Sequence, residues 1–235
     1  MKNSGQHQPT KEILPGGKWD SEGNALYFPG ITCVGRIPSD SDFFEMARKA
    51  RDIVQCSEFS SQYAYTPLAS YHMTGLDILS EASRIKPDAD WPEDISRSES
   101  WPEITMKIFN KINNLTLDPA PPLLMRATGF QPLEKKLVVS LQPGNTSVSE
   151  WLRYFRHRMM QAIGLPETTL NSYHFHSTVG YRIYYALPNE KEALLHLQEK
   201  LNQLVIHQAP EVTIEPLQYC AFTDMLAFVP LKHFL

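Results

Sequence analysis

Cysteine is scarce in this chain: Cys33, Cys56 and Cys220 are the only three among 235 residues. They are odd in number and widely spaced, so they define neither a disulfide framework nor a zinc pattern, which fits a reducing compartment. Long apolar runs are also missing. No stretch approaches membrane-spanning length, and the polar start, Met1 to Thr10, has no signal-peptide core. Nor is there an excess of basic charge. With 22 Lys+Arg against 26 Asp+Glu the formal net charge is −4. That argues against duplex DNA or RNA as the main partner, since such binding rests on clustered positive charge, and it leaves room for a small anion in a local pocket. The expectation is a soluble cytoplasmic protein with no membrane partner, favoured as a monomer. In that compartment the glycosylation-like triplets Asn114-Leu115-Thr116 and Asn145-Thr146-Ser147 stay idle.

The composition, 42% apolar and 20% charged, is that of an ordinary globular protein, long enough for a substantial core in one large domain or two lobes. Residues 1–20 contain Gly16-Gly17 and little periodicity, and read as a loosely attached, flexible arm. Strand formers dominate from Ala25 to Ile37. Ser39 to Ser41 can cap a helix that carries Phe43, Phe44, Ala47, Ala50 and Val54 on one face. A strand follows near residues 69–79, then a polar stretch with Asp90-Trp91-Pro92 and a helix with Ile104, Ile108, Ile112 and Leu115 in register. Asp118-Pro119-Ala120-Pro121-Pro122 interrupts any helix at the midpoint, so the reading is a first lobe over 21–118 and a second over 119–235, integrated into one domain. The second lobe shows strands over Leu123 to Phe130 and Lys135 to Leu141. A capping box at Ser147 to Glu150 then opens a helix ending at Gly164. A strand inside Tyr173 to Leu187, a leucine-striped helix through Leu194 and Leu204, and one or two final strands complete it.

Each half thus runs strand, helix, strand, helix, and the third element of each carries the same pattern. Tyr71-His72-Met73-Thr74 and Phe175-His176-Ser177-Thr178 both place a threonine two residues after a histidine. A strand alternates faces every residue, so His72 and Thr74 share one face, as do His176 and Thr178. Each pair can present an imidazole and a hydroxyl to one ligand. By the same alternation His174 and Arg182 lie on the face of His176, while Tyr71, Phe175 and Tyr181 pack behind.

With these residues in order, the chain resembles the 2H phosphoesterase superfamily, named for two His-x-Thr/Ser motifs, one from each lobe of a pseudo-symmetric fold. More narrowly it is similar to a branch of unknown function. In that branch a Phe-Pro-Gly, a Tyr-His-Met-Thr strand, an arginine followed by Trp-Pro, and a Phe-His-x-Thr strand recur. Here these are Phe28-Pro29-Gly30, Tyr71 to Thr74, Arg84 with Trp91-Pro92, and Phe175 to Thr178, and the likeness spans roughly residues 18–230. Gly75 and Ser177 depart from it, standing where apolar residues are usual on the buried face.

The resemblance implies an α+β, bilobal pseudo-two-fold fold with antiparallel sheets lining a central cleft and helices outside. It also implies a metal-independent phosphodiesterase with no cofactor, acting on a cyclic or 2′,5′-linked nucleotide or an RNA-end phosphodiester. His72 and His176 would exchange protons with the attacking and leaving oxygens, a role suited to an unperturbed pKa of about 6.5. Thr74 and Thr178 would stabilise charge on the phosphoryl oxygens. Which histidine is acid and which is base stays open. Arg84 is the expected phosphate clamp, with His174 and Arg182 as further substrate-binding candidates and Trp91 able to stack a base or to pack against the first lobe. Two other readings remain. One is a catalytically silent nucleotide- or RNA-binding module of the same fold. The other is a metal-dependent enzyme with His174 and His176 as ligands.

Overall fold

The computed structural model describes residues 7–234, so the start of the expected arm, residues 1–6, lies outside the described residues. Strands form at β1 (Gly30–Arg36), β2 (Tyr63–Tyr65), β3 (His72–Ser80), β4 (Leu123–Phe130), β5 (Lys136–Pro143), β6 (His176–Arg182), β7 (Glu211–Ile214), β8 (Gln218–Phe222) and β9 (Val229–His233). Helices are α1 (Asp42–Gln55), α2 (Glu81–Ile85), α3 (Trp101–Asn113), α4 (Thr146–Ile163) and α5 (Lys191–Gln208). The fold class is α+β, as expected.

All the strands join one antiparallel sheet in the order β7-β4-β5-β6-β3-β1-β8-β9, with β2 added to β6. The sheet is therefore two four-strand halves that meet where β6 touches β3, through the single register pair Met73–Ser177. That point is an approximate two-fold centre: β3 corresponds to β6, and β1 to β5. Strands β8 and β9 come from the end of the chain yet extend β1, so chain beyond residue 119 completes the half that holds the first motif.

One face of the sheet carries the helices. Helix α1 is capped by Ser41, whose side chain accepts from Phe44 N, and it buries Phe43, Met46, Ala47, Ala50 and Val54 in a core with Tyr71, Met73, Leu137, Val139 and Val179. Helix α3 buries Ile104, Ile108 and Ile112 behind a Ser100–Glu103 capping box. Helix α4 differs from expectation at its start. Asn145, not Ser147, is the N-cap, because its Oδ1 accepts from Val148 N at 3.0 Å and so satisfies a free amide two residues earlier than the serine can. Its far end is Gly164 in the left-handed conformation at φ 86°, as a C-cap glycine allows.

The expected loose arm is a correction for residues 7–20. Thr10 is buried and hydrogen-bonds the end of β6 through Oγ1–Arg182 O and the residue after it through N–Ile183 O. Trp19 is 1% exposed and shares a second apolar cluster with Phe28, Ala64, Ile183 and Met225. Lack of periodicity marked irregular backbone here, and cross-chain hydrogen bonds fasten it. Among the described residues no helix is long and apolar enough to cross a membrane.

Candidate active site

Strand alternation puts Met73 and Ser177 under the helices and His72, Thr74, His176 and Thr178 on the opposite, open face, where all four are half-buried. The Met73–Ser177 register of the antiparallel pair sets His72 across from Thr178 and Thr74 across from His176. Side chains directly opposite in such a pair have their Cβ atoms about 4.5–5.5 Å apart. The two imidazoles and two hydroxyls are therefore placed on one face on either side of the Met73–Ser177 pair.

The imidazoles are held alike. His72 Nδ1 lies 2.6 Å from Ser70 O, and His176 Nδ1 lies 2.9 Å from His174 O. A carbonyl only accepts, so Nδ1 carries hydrogen in both rings, and Nε2 is left to accept or donate a proton. Burial pushes the His72 pKa down to about 4, opposed by the Ser70 carbonyl and the Asp77 carboxylate and reinforced by His176 and Arg36. Burial also lowers His176, by a smaller amount, with Lys136 and Lys18 adding to the fall while the His174 carbonyl and Asp77 resist it.

His72 and Thr74 line a cleft of about 600 Å³ that continues along β3 to α2. Its walls include Phe28, Tyr181, Phe222, Met225 and Phe228, and residues Lys11 to Lys18 of the N-terminal segment close one side. The Phe228 ring lies 4.3 Å from the His72 ring, and Arg36, opposite His72 on β1, holds the Phe228 carbonyl at 3.1 Å.

Asp77 and Tyr181 reach this cleft although strict alternation misses them. The β1–β3 register shifts between Cys33–Leu76 and Val34–Thr74, which makes Gly75 an extra residue, a bulge. The phase then flips: Leu76 turns to the core and Asp77 faces the cleft. A Cβ on Gly75 would stand 2.7 Å from Leu217 Cδ1, so any larger residue at the bulge would require the buried Leu217 side chain to shift. Tyr173 OH donates to Asp77 Oδ2 at 3.2 Å, and the Arg156 guanidinium lies 4.1 Å over the Tyr173 ring while donating to Gly75 O. Ser177, the other departure, is fully buried, and its hydroxyl has no partner among the described residues.

A second bulge corrects Arg182. The β5–β6 register jumps from Val138–Thr178 to Leu137–Gly180 and skips Val179. Tyr181 therefore faces the cleft and Arg182 points away, reversing the parity expected for both. Arg182 is 1% exposed and donates to Leu133 O, the Tyr63 hydroxyl, Tyr184 O and Gln62. Arg182→Met should therefore lower stability by about 2–4 kcal/mol, because several buried acceptors lose their donor. Thermal unfolding and kinetics would show a lower Tm with kcat/KM per folded molecule near wild type. A raised KM at unchanged Tm would return Arg182 to the cleft.

Arg84 is also not brought to the histidines. Its guanidinium packs 4.3 Å over the Trp101 ring and donates to Glu99 O at 3.0 Å. His174 contributes its carbonyl to His176, while its side chain lines a separate pocket of about 250 Å³ with Arg153, Arg156 and Tyr173. Trp91 donates Nε1 to Ile95 O and is covered by Arg97, so it packs rather than stacks. Among the described residues no three His, Cys, Asp or Glu side chains are grouped to hold a metal ion.

The model of the 2H-phosphodiest family, described as a domain of unknown function, DUF1868, matches residues 18–136. The chain belongs to this family. The match contains His72 and Thr74 and ends before His176. The fold extends the likeness over the rest of the chain. A conserved protein of unknown function from Agrobacterium tumefaciens str. C58 superposes with a TM-score of 0.84 at 23% identity, covering 99% of this chain and 96% of its own. A solved phosphoesterase gives a TM-score of 0.49 at 11% identity, covering 88% of this chain and 97% of its own. Usb1 from Kluyveromyces marxianus gives 0.38 at 12% identity, covering 87% and 98%. These last two are too distant to bear on function. No curated protein sequence matches the chain. The 2H-phosphodiest chain thus has the α+β, two-halved 2H phosphoesterase-like fold expected from its motifs.

Proposed function

We propose that this 2H-phosphodiest protein is a metal-independent phosphodiesterase that hydrolyses a cyclic or 2′,5′-linked nucleotide, or an RNA-end phosphodiester. The observation that carries this reading is the placement of both histidines and both threonines on one open face astride the Met73–Ser177 pair, both rings with Nδ1 tied to a backbone carbonyl. A phosphorus atom above the two-fold centre would lie between two Nε2 atoms and two hydroxyls. The neutral imidazole removes a proton from water as its oxygen forms the new P–O bond. The protonated imidazole gives its proton to the ribose oxygen as the old P–O bond breaks. The hydroxyls of Thr74 and Thr178 donate to the non-bridging oxygens, where charge accumulates.

The surroundings favour His72 as base and His176 as acid. His72 stays neutral down to about pH 4. His176 is lowered less and would be raised by the negative charge of a bound phosphodiester. The test is a screen of cyclic nucleotides, 2′,3′-cyclic-phosphate RNA ends and 2′,5′-oligoadenylates in excess chelator, with rates measured against pH. Turnover should persist without metal. In the free enzyme the base must be unprotonated and the acid protonated, so the optimum of kcat/KM should lie between about 4 and the ordinary histidine value of 6.5. The kcat optimum should lie higher, because bound substrate holds the proton on His176. Loss of turnover in chelator, restored by zinc or manganese, would favour the metal-dependent alternative. Ligand binding without turnover of any of these substrates would favour the silent binding module.

A further inference from the structure

Arg84 and Arg182 face elsewhere, so the cleft requires another cation to hold an anionic substrate. Lys11, Lys18 and Lys86 line it. Lys11 and Lys86 are exposed at the rim, whereas Lys18 is half-buried inside it. The Lys18 ammonium lies 4.7 Å from the centre of the Tyr181 ring and 5.4 Å from that of Phe28, both walls of the cleft that holds His72 and Thr74. Among the described residues no carboxylate stands within ion-pair distance of it.

The backbone around Lys18 is fixed. Leu26 N donates to Lys18 O at 2.9 Å, Trp19 N donates to Glu12 O at 3.0 Å, and the buried Trp19 anchors the segment. Burial opposes the charge, yet the Tyr181 hydroxyl and the more distant Glu12 and Asp77 carboxylates outweigh it and hold the pKa above the ordinary lysine value. Lys18 is therefore an ammonium at neutral pH. A half-buried cation without an ion-pair partner is costly to keep. Here it is stationed between two rings over a reaction cleft, with donors to spare.

We propose that Lys18 is the anion-binding residue of the cleft and donates to the phosphate of a nucleotide whose planar ring packs on the wall of Phe28, Phe222 and Phe228. The inference rests on the phosphodiesterase reading, and it names the recognition that the two motifs lack. The histidines and threonines act on the phosphorus, and Lys18 supplies attraction in the ground state. Phe222 and Phe228, with centroids 5.2 Å apart, supply the apolar surface that a base requires.

The test compares Lys18→Met, Lys18→Gln and Lys18→Arg with wild type. It measures the affinity for inorganic phosphate by calorimetry, and kcat and KM against pH on a substrate confirmed in the screen. Lys18→Met and Lys18→Gln should weaken phosphate binding and raise KM by about 10–100-fold, as expected for loss of a charge-assisted hydrogen bond, with a smaller change in kcat. Lys18→Arg should restore most of the affinity. The groups facing His176 are His72 and Asp77 from β3, Lys136 from β5, Lys18 and the His174 carbonyl. Removing Lys18 should therefore shift the high-pH limb upward, and the loss of phosphate affinity is what separates an anion-binding lysine from one that only sits near His176. Wild-type phosphate affinity and KM in both Lys18→Met and Lys18→Gln would overturn the proposal, and a fall in Tm alone would not rescue it. If those two variants were normal while His72→Ala was inactive, the inference would fail and the phosphodiesterase reading would stand. If wild type cleaved no phosphodiester yet lost phosphate binding on Lys18→Met, the anion site would stand and the enzyme reading would fall.

Discussion

His72→Ala and His176→Ala should each cost on the order of 10²–10⁴-fold in kcat on a confirmed substrate, with folding intact, because each removes one of two proton transfers in a single transition state. Both side chains lie on the open face, while Met73 and Ser177 fill the core beside them, so truncation leaves the apolar packing in place. The pH profiles separate the roles. His72→Ala should erase the low-pH limb, which reports deprotonation of the base, and His176→Ala the high-pH limb, which reports the acid. The double variant should be little worse than either single one, since groups that act together are not additive. Near wild-type turnover in His72→Ala together with loss in His174→Ala would show that the motif histidines were paired wrongly.

Thr74→Val and Thr178→Val should lower kcat by about 10–10³-fold each, with smaller changes in KM, as expected when a hydrogen bond to developing charge is lost. Valine keeps the branched shape that suits a strand, so the change is confined to the hydroxyl. The cross-strand arrangement makes the prediction specific. Thr178 sits across from His72 and Thr74 across from His176, so each valine variant should also perturb the pKa of the opposite motif's histidine. Histidine titrations by NMR in the two variants would test that pairing. Unchanged kcat in both would remove the threonines from the chemistry.

The quartet of His72, Thr74, His176 and Thr178 is legible in the sequence because it needs only two-residue periodicity over three residues. That argument holds until a bulge intervenes. One follows Thr74 at Gly75 and another follows Thr178 at Val179, and beyond each the parity reverses. Plain alternation therefore misses Asp77, places Tyr181 behind the sheet and puts the structural Arg182 in the cleft. Gly75, visible only as a departure from the family pattern, was the one local trace of the first bulge. Lys18 was hidden for a different reason: its segment has no periodicity, and its position depends on contacts with β6, over 160 residues away in sequence. The order of strands posed a similar difficulty. Local propensity gave Leu123–Phe130 its bounds, but no local signal tells β8 to extend β1, because pairing between distant strands is a property of the assembled sheet.

The central claim is that both imidazoles serve one phosphorus atom. The most direct measurement is a crystal structure of the wild-type protein with orthovanadate, which adopts the trigonal bipyramid of an in-line displacement. The account predicts a single vanadate above the Met73–Ser177 pair, with the Nε2 atoms of His72 and His176 on its two apical oxygens and the hydroxyls of Thr74 and Thr178 on its equatorial ones. Vanadate bound to one histidine alone, or held away from β3 and β6 in the pocket beside His174, would contradict it.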